Sequence, residues 1–147
     1  MRSLLLIALL ALIPALGRAE VIDIDNAQLG KLLKNGVPLI DIRLPVEWED
    51  TGIIAGSRLL TFFDEQGRYD ATAWLEKAKQ VAKPNEPVII ICRSGNRTRP
   101  VSQLLSQQAG YKTVYNVKNG IKSWIAGGEP LVPAAATLAA CRAAKTC

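Results

Sequence analysis

The stretch Pro87-Val88-Ile89-Ile90-Ile91-Cys92-Arg93-Ser94-Gly95-Asn96-Arg97-Thr98 decides the fold. Val88 to Ile91 is β-branched, uninterrupted and short, the pattern of a strand buried on both faces. It then breaks into a polar, cationic run containing a glycine, and helical spacing begins near Thr98, with Val101, Leu104 and Leu105 on one face. A strand, a tight loop and a helix in that order make the unit of a parallel α/β sheet, in which ligand sites form at the carboxyl ends of the strands. Cys92 stands at that end.

Outward from this unit the alternation repeats. Val21–Ile24 reads as a short edge strand, and Asp25 or Asn26 caps a helix to about Lys34, stopped by Asn35-Gly36. Pro38–Ile42 is another apolar strand, and Pro45 opens a short helix. Ser57–Leu60 reads as a strand and Asp70–Ala82 as a helix ended by Pro84. Thr98–Gln108 is helical, Thr113–Asn116 a strand, and Gly120–Ala126 a helix closed by Gly127-Gly128. The expected fold is therefore α/β, a central, mainly parallel sheet with helices on both faces. Trp48, Trp74 and Trp124 fall at helical positions that suit core packing.

Residues 1–19 are set aside from the fold. Arg2 precedes the apolar run Leu4–Leu12, and Gly17-Arg18-Ala19 places small residues where a signal peptidase reads, so cleavage after Ala19 is expected. The apolar run is shorter than the roughly 20 residues that a spanning helix needs. Export implies a periplasmic or secreted protein, with no membrane attachment once the leader is gone. The formal charge of +5 includes Arg2 and Arg18, so the mature chain carries 16 basic and 13 acidic groups. This mild excess has no basic block and no interleaved aromatics, which excludes nucleic acid as a partner.

The cysteines are Cys92, Cys141 and Cys147, and the chain has no histidine. Cys-His and Ser-His catalysis are thereby excluded. Three dispersed cysteines make a poor zinc site, so neither a metal nor a cofactor is expected. An oxidising compartment favours pairing of the two tail cysteines and leaves Cys92 as the free thiol. Six residues of continuous helix would separate the pair by about 9 Å, beyond the roughly 7 Å that a disulfide tolerates between Cα atoms. A Cys141–Cys147 bridge thus requires the helix to end between them. The alternative is two free or intermolecular thiols.

A lone cysteine after an apolar strand is usually a small core residue. Here the next six residues are too polar for a core. A following helix N-terminus and the charges of Arg93, Arg97 and Arg99 favour an anion, so Cys92 reads as a nucleophilic thiolate. Gly95 lets the backbone turn tightly enough for several N–H groups to converge on a negative atom.

The run Cys92-Arg93-Ser94-Gly95-Asn96-Arg97-Thr98 resembles the active-site loop of the single-domain rhodaneses, the thiosulfate sulfurtransferase family. Asp41-Ile42-Arg43 with Glu47-Trp48 is similar to that family's Asp-x-Arg and Glu-aromatic segment. Gly52–Gly56 falls where Gly-His-Ile-Pro-Gly is usual, with Ile53 for the histidine and Ala55 for the proline. Asn119-Gly120-Ile121 through Trp124 to Gly127-Gly128 resembles the closing Gly-Gly, Trp and Gly pattern. The likeness implies a rhodanese domain over residues 20–132, with 133–147 a C-terminal tail outside it.

It implies a two-step transfer from thiosulfate or another sulfane donor, through a Cys92 persulfide, to cyanide or a thiol, a protein acceptor included. Backbone N–H groups of Arg93, Ser94, Gly95, Asn96, Arg97 and Thr98 would stabilise the persulfide anion, and Arg93 and Arg97 would bind the donor's sulfonate. A phosphatase or arsenate reductase is one rival, but its loop would need arginine at position 98, where Thr98 stands. A non-enzymatic persulfide carrier or redox-responsive binding module is the other, since it needs the same cysteine. A thiol–disulfide oxidoreductase would need a second cysteine in the loop.

Overall fold

The computed structural model describes residues 19–147; the leader reading of residues 1–19 lies outside them except for Ala19. The elements are β1 (Glu20–Ile24), α1 (Asn26–Lys34), β2 (Leu39–Asp41), α2 (Pro45–Thr51), β3 (Arg58–Leu59) and α3 (Ala71–Val81). They continue with β4 (Val88–Ile91), α4 (Thr98–Gln103), β5 (Thr113–Val117), α5 (Gly120–Ala126) and α6 (Ala135–Ala144). The five strands form one sheet in the order β1-β5-β4-β2-β3, and every pairing is parallel.

Local chemistry sets the helix starts. The Asp25 carboxylate accepts from Gln28 N at 2.8 Å while Gln28 Oε1 accepts from Asp25 N at 3.0 Å, which settles the cap of α1 on Asp25. Asp70 caps α3 by accepting from Ala73 N at 3.0 Å. Pro45 stands at the first position of α2, and Glu47 reaches back to Leu44 N at 3.0 Å.

The strand β4 is central and wholly buried, which is why it has no polar alternation. Val88 and Ile90, with Ile40 and Ile42 of the β2 segment, face Trp74 and Ala78 of α3, Val101 of α4 and Leu105 just beyond it. Ile89 and Ile91 turn the other way, onto Leu29 of α1 and Ile121 and Trp124 of α5. Helices therefore cover both faces, as expected. All three tryptophans are buried.

Some element bounds differ from expectation. The sheet ladder takes only the centres of Pro38–Ile42 and Ser57–Leu60, although single hydrogen bonds continue past it, Ile42 N donating to Ile91 O at 3.0 Å and Leu60 N to Asp41 O at 3.0 Å. The helix expected over 98–108 is α-helical only to Gln103 and continues as a π-helical turn over Leu104–Gln108, with Ala109 N donating to Leu104 O at 3.0 Å. The widened turn keeps Val101 and Leu105 both fully buried.

The tail docks through a third cluster. Ala134 and Leu138 cover Trp48, Ile53 and Leu59. Helix α6 ends at Ala144, Lys145 takes a left-handed φ of 55°, and Cys147 folds back to Cys141 with a Cα–Cα distance of 5.3 Å. The two are disulfide-bonded and Cys92 is free. The bridge forms where the helix stops, as the spacing required.

Candidate active site

Cys92 leaves β4 at its carboxyl end, between β5 and β2. Strand alternation puts its side chain on the Val88 and Ile90 face, 1% exposed at the margin of that core. Its Sγ accepts the Gly95 N–H at 3.1 Å. Thr98 Oγ1 lies 3.9 Å from Sγ, and its own hydroxyl donates to the Gly95 carbonyl at 3.0 Å. The loop thus closes on its own cysteine.

Two glycines permit the closure. Gly95 has φ 92°, and a Cβ there would run into the Lys118 carbonyl. Gly120 has φ 61°, and a Cβ there would strike the backbone of Arg93 and Ser94. The approach lets the first amides of α5 fasten the start of the loop: Ile121 N donates to Cys92 O at 2.8 Å and Lys122 N to Arg93 O at 3.1 Å. By contrast, the N–H groups of Ser94, Asn96 and Arg97 have no acceptor among the described residues. They are available to an anion.

The six residues expected around Cys92 take different places. Arg93, Ser94 and Asn96 are exposed, Gly95 and Thr98 are buried, and Arg97 is half-buried. Arg97 does not stand free for a donor. Its Nη1 and Nη2 donate to Glu47 Oε2 and Oε1 at 2.7 and 2.6 Å, a bidentate pair. The Glu47 hydrogen bonds and charge raise the Arg97 pKa further above its ordinary value, against the effect of burial. For Glu47, burial opposes ionisation, but hydrogen bonds from Arg97 and Leu44 N outweigh it, with the charges of Arg97 and Arg43 adding, so its carboxyl sits below the usual carboxylate value. The exposed Arg93 side chain is not paired with a carboxylate among the described residues. It lines a cleft of ≈ 340 Å³ between α2 and α5 with Val46, Glu47, Asp50, Ile121 and Lys122.

Sequence reasoning gave no role to Glu47, Asp41 or Arg43, although the signal was there: Asp41 is a charge inside an apolar strand, and such a charge needs a partner. Arg43 supplies it, 1% exposed against 0% for Asp41, with Nη2 2.7 Å from Asp41 Oδ2. Arg43 also donates to Thr51 Oγ1 at 2.8 Å, Gly52 O at 3.0 Å and Glu47 O at 3.2 Å. One buried guanidinium therefore ties the end of β2 to α2, from which Glu47 reaches the active loop.

The family model of the rhodanese-like domain matches residues 25–127. This chain belongs to the rhodanese-like domain family. Over 118 aligned residues it is 29% identical to thiosulfate sulfurtransferase 18 of Arabidopsis thaliana, covering 76% of this chain and 84% of that one. A shorter match, 44% identical over 46 residues, links it to thiosulfate sulfurtransferase GlpE of Actinobacillus pleuropneumoniae; it covers 31% of this rhodanese-like chain and 42% of that relative. The crystal structure of a rhodanese-related protein from Thermoplasma volcanium is 29% identical with a TM-score of 0.57, covering 76% of this chain and 97% of that one.

Proposed function

We propose that this rhodanese-like domain is a sulfurtransferase that carries sulfane sulfur on Cys92. One observation carries the reading: Sγ accepts a hydrogen bond from its own loop while neighbouring amides have no acceptor. In the first step the Cys92 thiolate attacks the outer sulfur of thiosulfate. A new S–S bond forms, the old one breaks, and sulfite leaves with the electron pair. The terminal sulfur of the persulfide then sits where the loop amides can donate to it, so charge developing there meets preorganised dipoles. In the second step cyanide or a thiolate attacks that sulfur, and the electron pair returns to Cys92.

Arg93, exposed at the loop's edge, is the side chain we assign to the donor's sulfonate. Thr98 supports the sulfur reading over phosphate, because a buried hydroxyl engaged with Gly95 O replaces the guanidinium that a phosphate loop would use. The leader over residues 1–19 supports action in the periplasm or outside the cell on a small-molecule donor.

The test is thiocyanate release from thiosulfate and cyanide. The wild-type chain turns over, and Cys92→Ser lowers the rate to that of the uncatalysed reaction. A persulfide that forms but does not pass to cyanide or a thiol would replace the enzyme reading with that of a carrier.

A further inference from the structure

The two halves of the 92–98 loop are held by different means. Its first half is bound through the Cys92 and Arg93 carbonyls to the amides of α5. Beyond Gly95, among the described residues, no backbone hydrogen bond ties Asn96 or Arg97 to another part of the protein. The tie there is the Arg97 side chain on Glu47, which spans 50 positions of sequence.

Glu47 is itself firmly placed. Its Oε2 accepts from Leu44 N, and its backbone carbonyl accepts from Arg43 and Thr51 Oγ1. Arg43 in turn is locked to Asp41, whose strand pairs with β4 beneath Cys92. A continuous set of bonds therefore runs from the sheet through α2 to the far half of the loop. The terminal pair is partly exposed, 27% for Arg97 and 21% for Glu47, so it contributes little to global stability. Its effect falls on the local shape of the loop.

We propose that Glu47 is a positioning residue of this site: acting through Arg97, it holds the loop in the shape that brings the Gly95 N–H onto Cys92 Sγ. Arg97 then serves the loop, and the donor's sulfonate belongs to Arg93. The kinetic part of the test rests on the sulfurtransferase reading; the alkylation part does not.

Wild type, Glu47→Gln, Arg97→Met and the double variant are compared, with thermal melting as the folding control. Alkylation of Cys92 by iodoacetamide, a neutral probe, slows about tenfold in each single variant and no further in the double. In the thiosulfate–cyanide assay kcat falls about tenfold in both single variants while KM for thiosulfate stays within about twofold. Wild-type alkylation rates in both single variants would overturn the proposal. So would an Arg97→Met enzyme with raised KM and unchanged kcat, since that marks a donor ligand. If the wild type shows no turnover with thiosulfate, the function reading fails, and the alkylation rates still decide the role of Glu47.

Discussion

At the scale of single residues, Gly95 and the Asp41–Arg43 pair carry the sharpest consequences. Gly95→Ala adds a methyl group where φ is 92° and the Lys118 carbonyl occupies the space. The loop must then move off Cys92, so thiocyanate turnover should fall by at least about a hundredfold while far-ultraviolet circular dichroism keeps the native spectrum. Turnover within a few-fold of wild type would show that the closed loop is dispensable. Arg43→Met leaves the Asp41 carboxylate buried without its partner, and a urea melt should read a loss of about 3–5 kcal/mol. The candidate loop was legible here, because a cysteine followed by Arg-Ser-Gly-Asn-Arg-Thr marks the end of an apolar strand; that Cys92 itself stays 1% exposed at the margin of the core was not. The Arg97–Glu47 contact was not legible, because it joins segments 50 positions apart and depends on how α2 lies against the loop.

At the scale of elements, the tail adds to the domain what the strands alone do not provide. Ile53, standing where the resemblance places histidine, is fully buried under the tail and exchanges hydrogen bonds of 2.9 and 2.8 Å with Val132. Leu138, 3% exposed against Trp48 and Leu59, anchors α6. Leu138→Ala should cost about 2–4 kcal/mol, read by urea titration. Reducing the Cys141–Cys147 bridge should lower stability by about 2 kcal/mol, the loop-closure value for so short a ring. Dithiothreitol would show it as a lower melting temperature, and a Cys141→Ser, Cys147→Ser chain would not respond. The spacing of the two cysteines foretold where α6 must end. It gave no hint that α6 would lie over β3, and the π-helical turn after Gln103 was equally hidden, since the spacing of Val101, Leu104 and Leu105 fits either helical winding.

At the scale of the whole molecule, alternating apolar segments and turn residues made the parallel α/β sheet legible, because each buried strand had to lack polar alternation. Strand order was not legible: it follows from long-range packing of two apolar faces. Glu47 and Tyr111 tie stability to pH at opposite ends of the scale. The Glu47 carboxyl titrates below its ordinary value in the fold, so the stability it contributes is present above the ordinary value, about 4.3, and lost as pH falls through the lowered one. That contribution is small for a partly exposed pair, so Glu47→Gln should melt close to wild type at neutral pH, and the remaining gap should close as pH drops through that window. Burial, with the charge of Glu86 adding, pushes the Tyr111 hydroxyl up to about 12, and that hydroxyl donates to Ala82 O at 2.7 Å. Its contribution is complete below the ordinary value, about 10, and disappears as pH rises towards 12; Tyr111→Phe should flatten that alkaline loss.

On the proposed reading, the loop of this rhodanese-like domain lets Cys92 take up a sulfane sulfur and pass it on. The most direct measurement is the intact mass of the tryptic peptide containing Cys92 after incubation with thiosulfate and rapid acid quenching. A gain of one sulfur atom that disappears on adding cyanide is expected. An unmodified Cys92 thiol, in a chain that still alkylates with iodoacetamide, would contradict it.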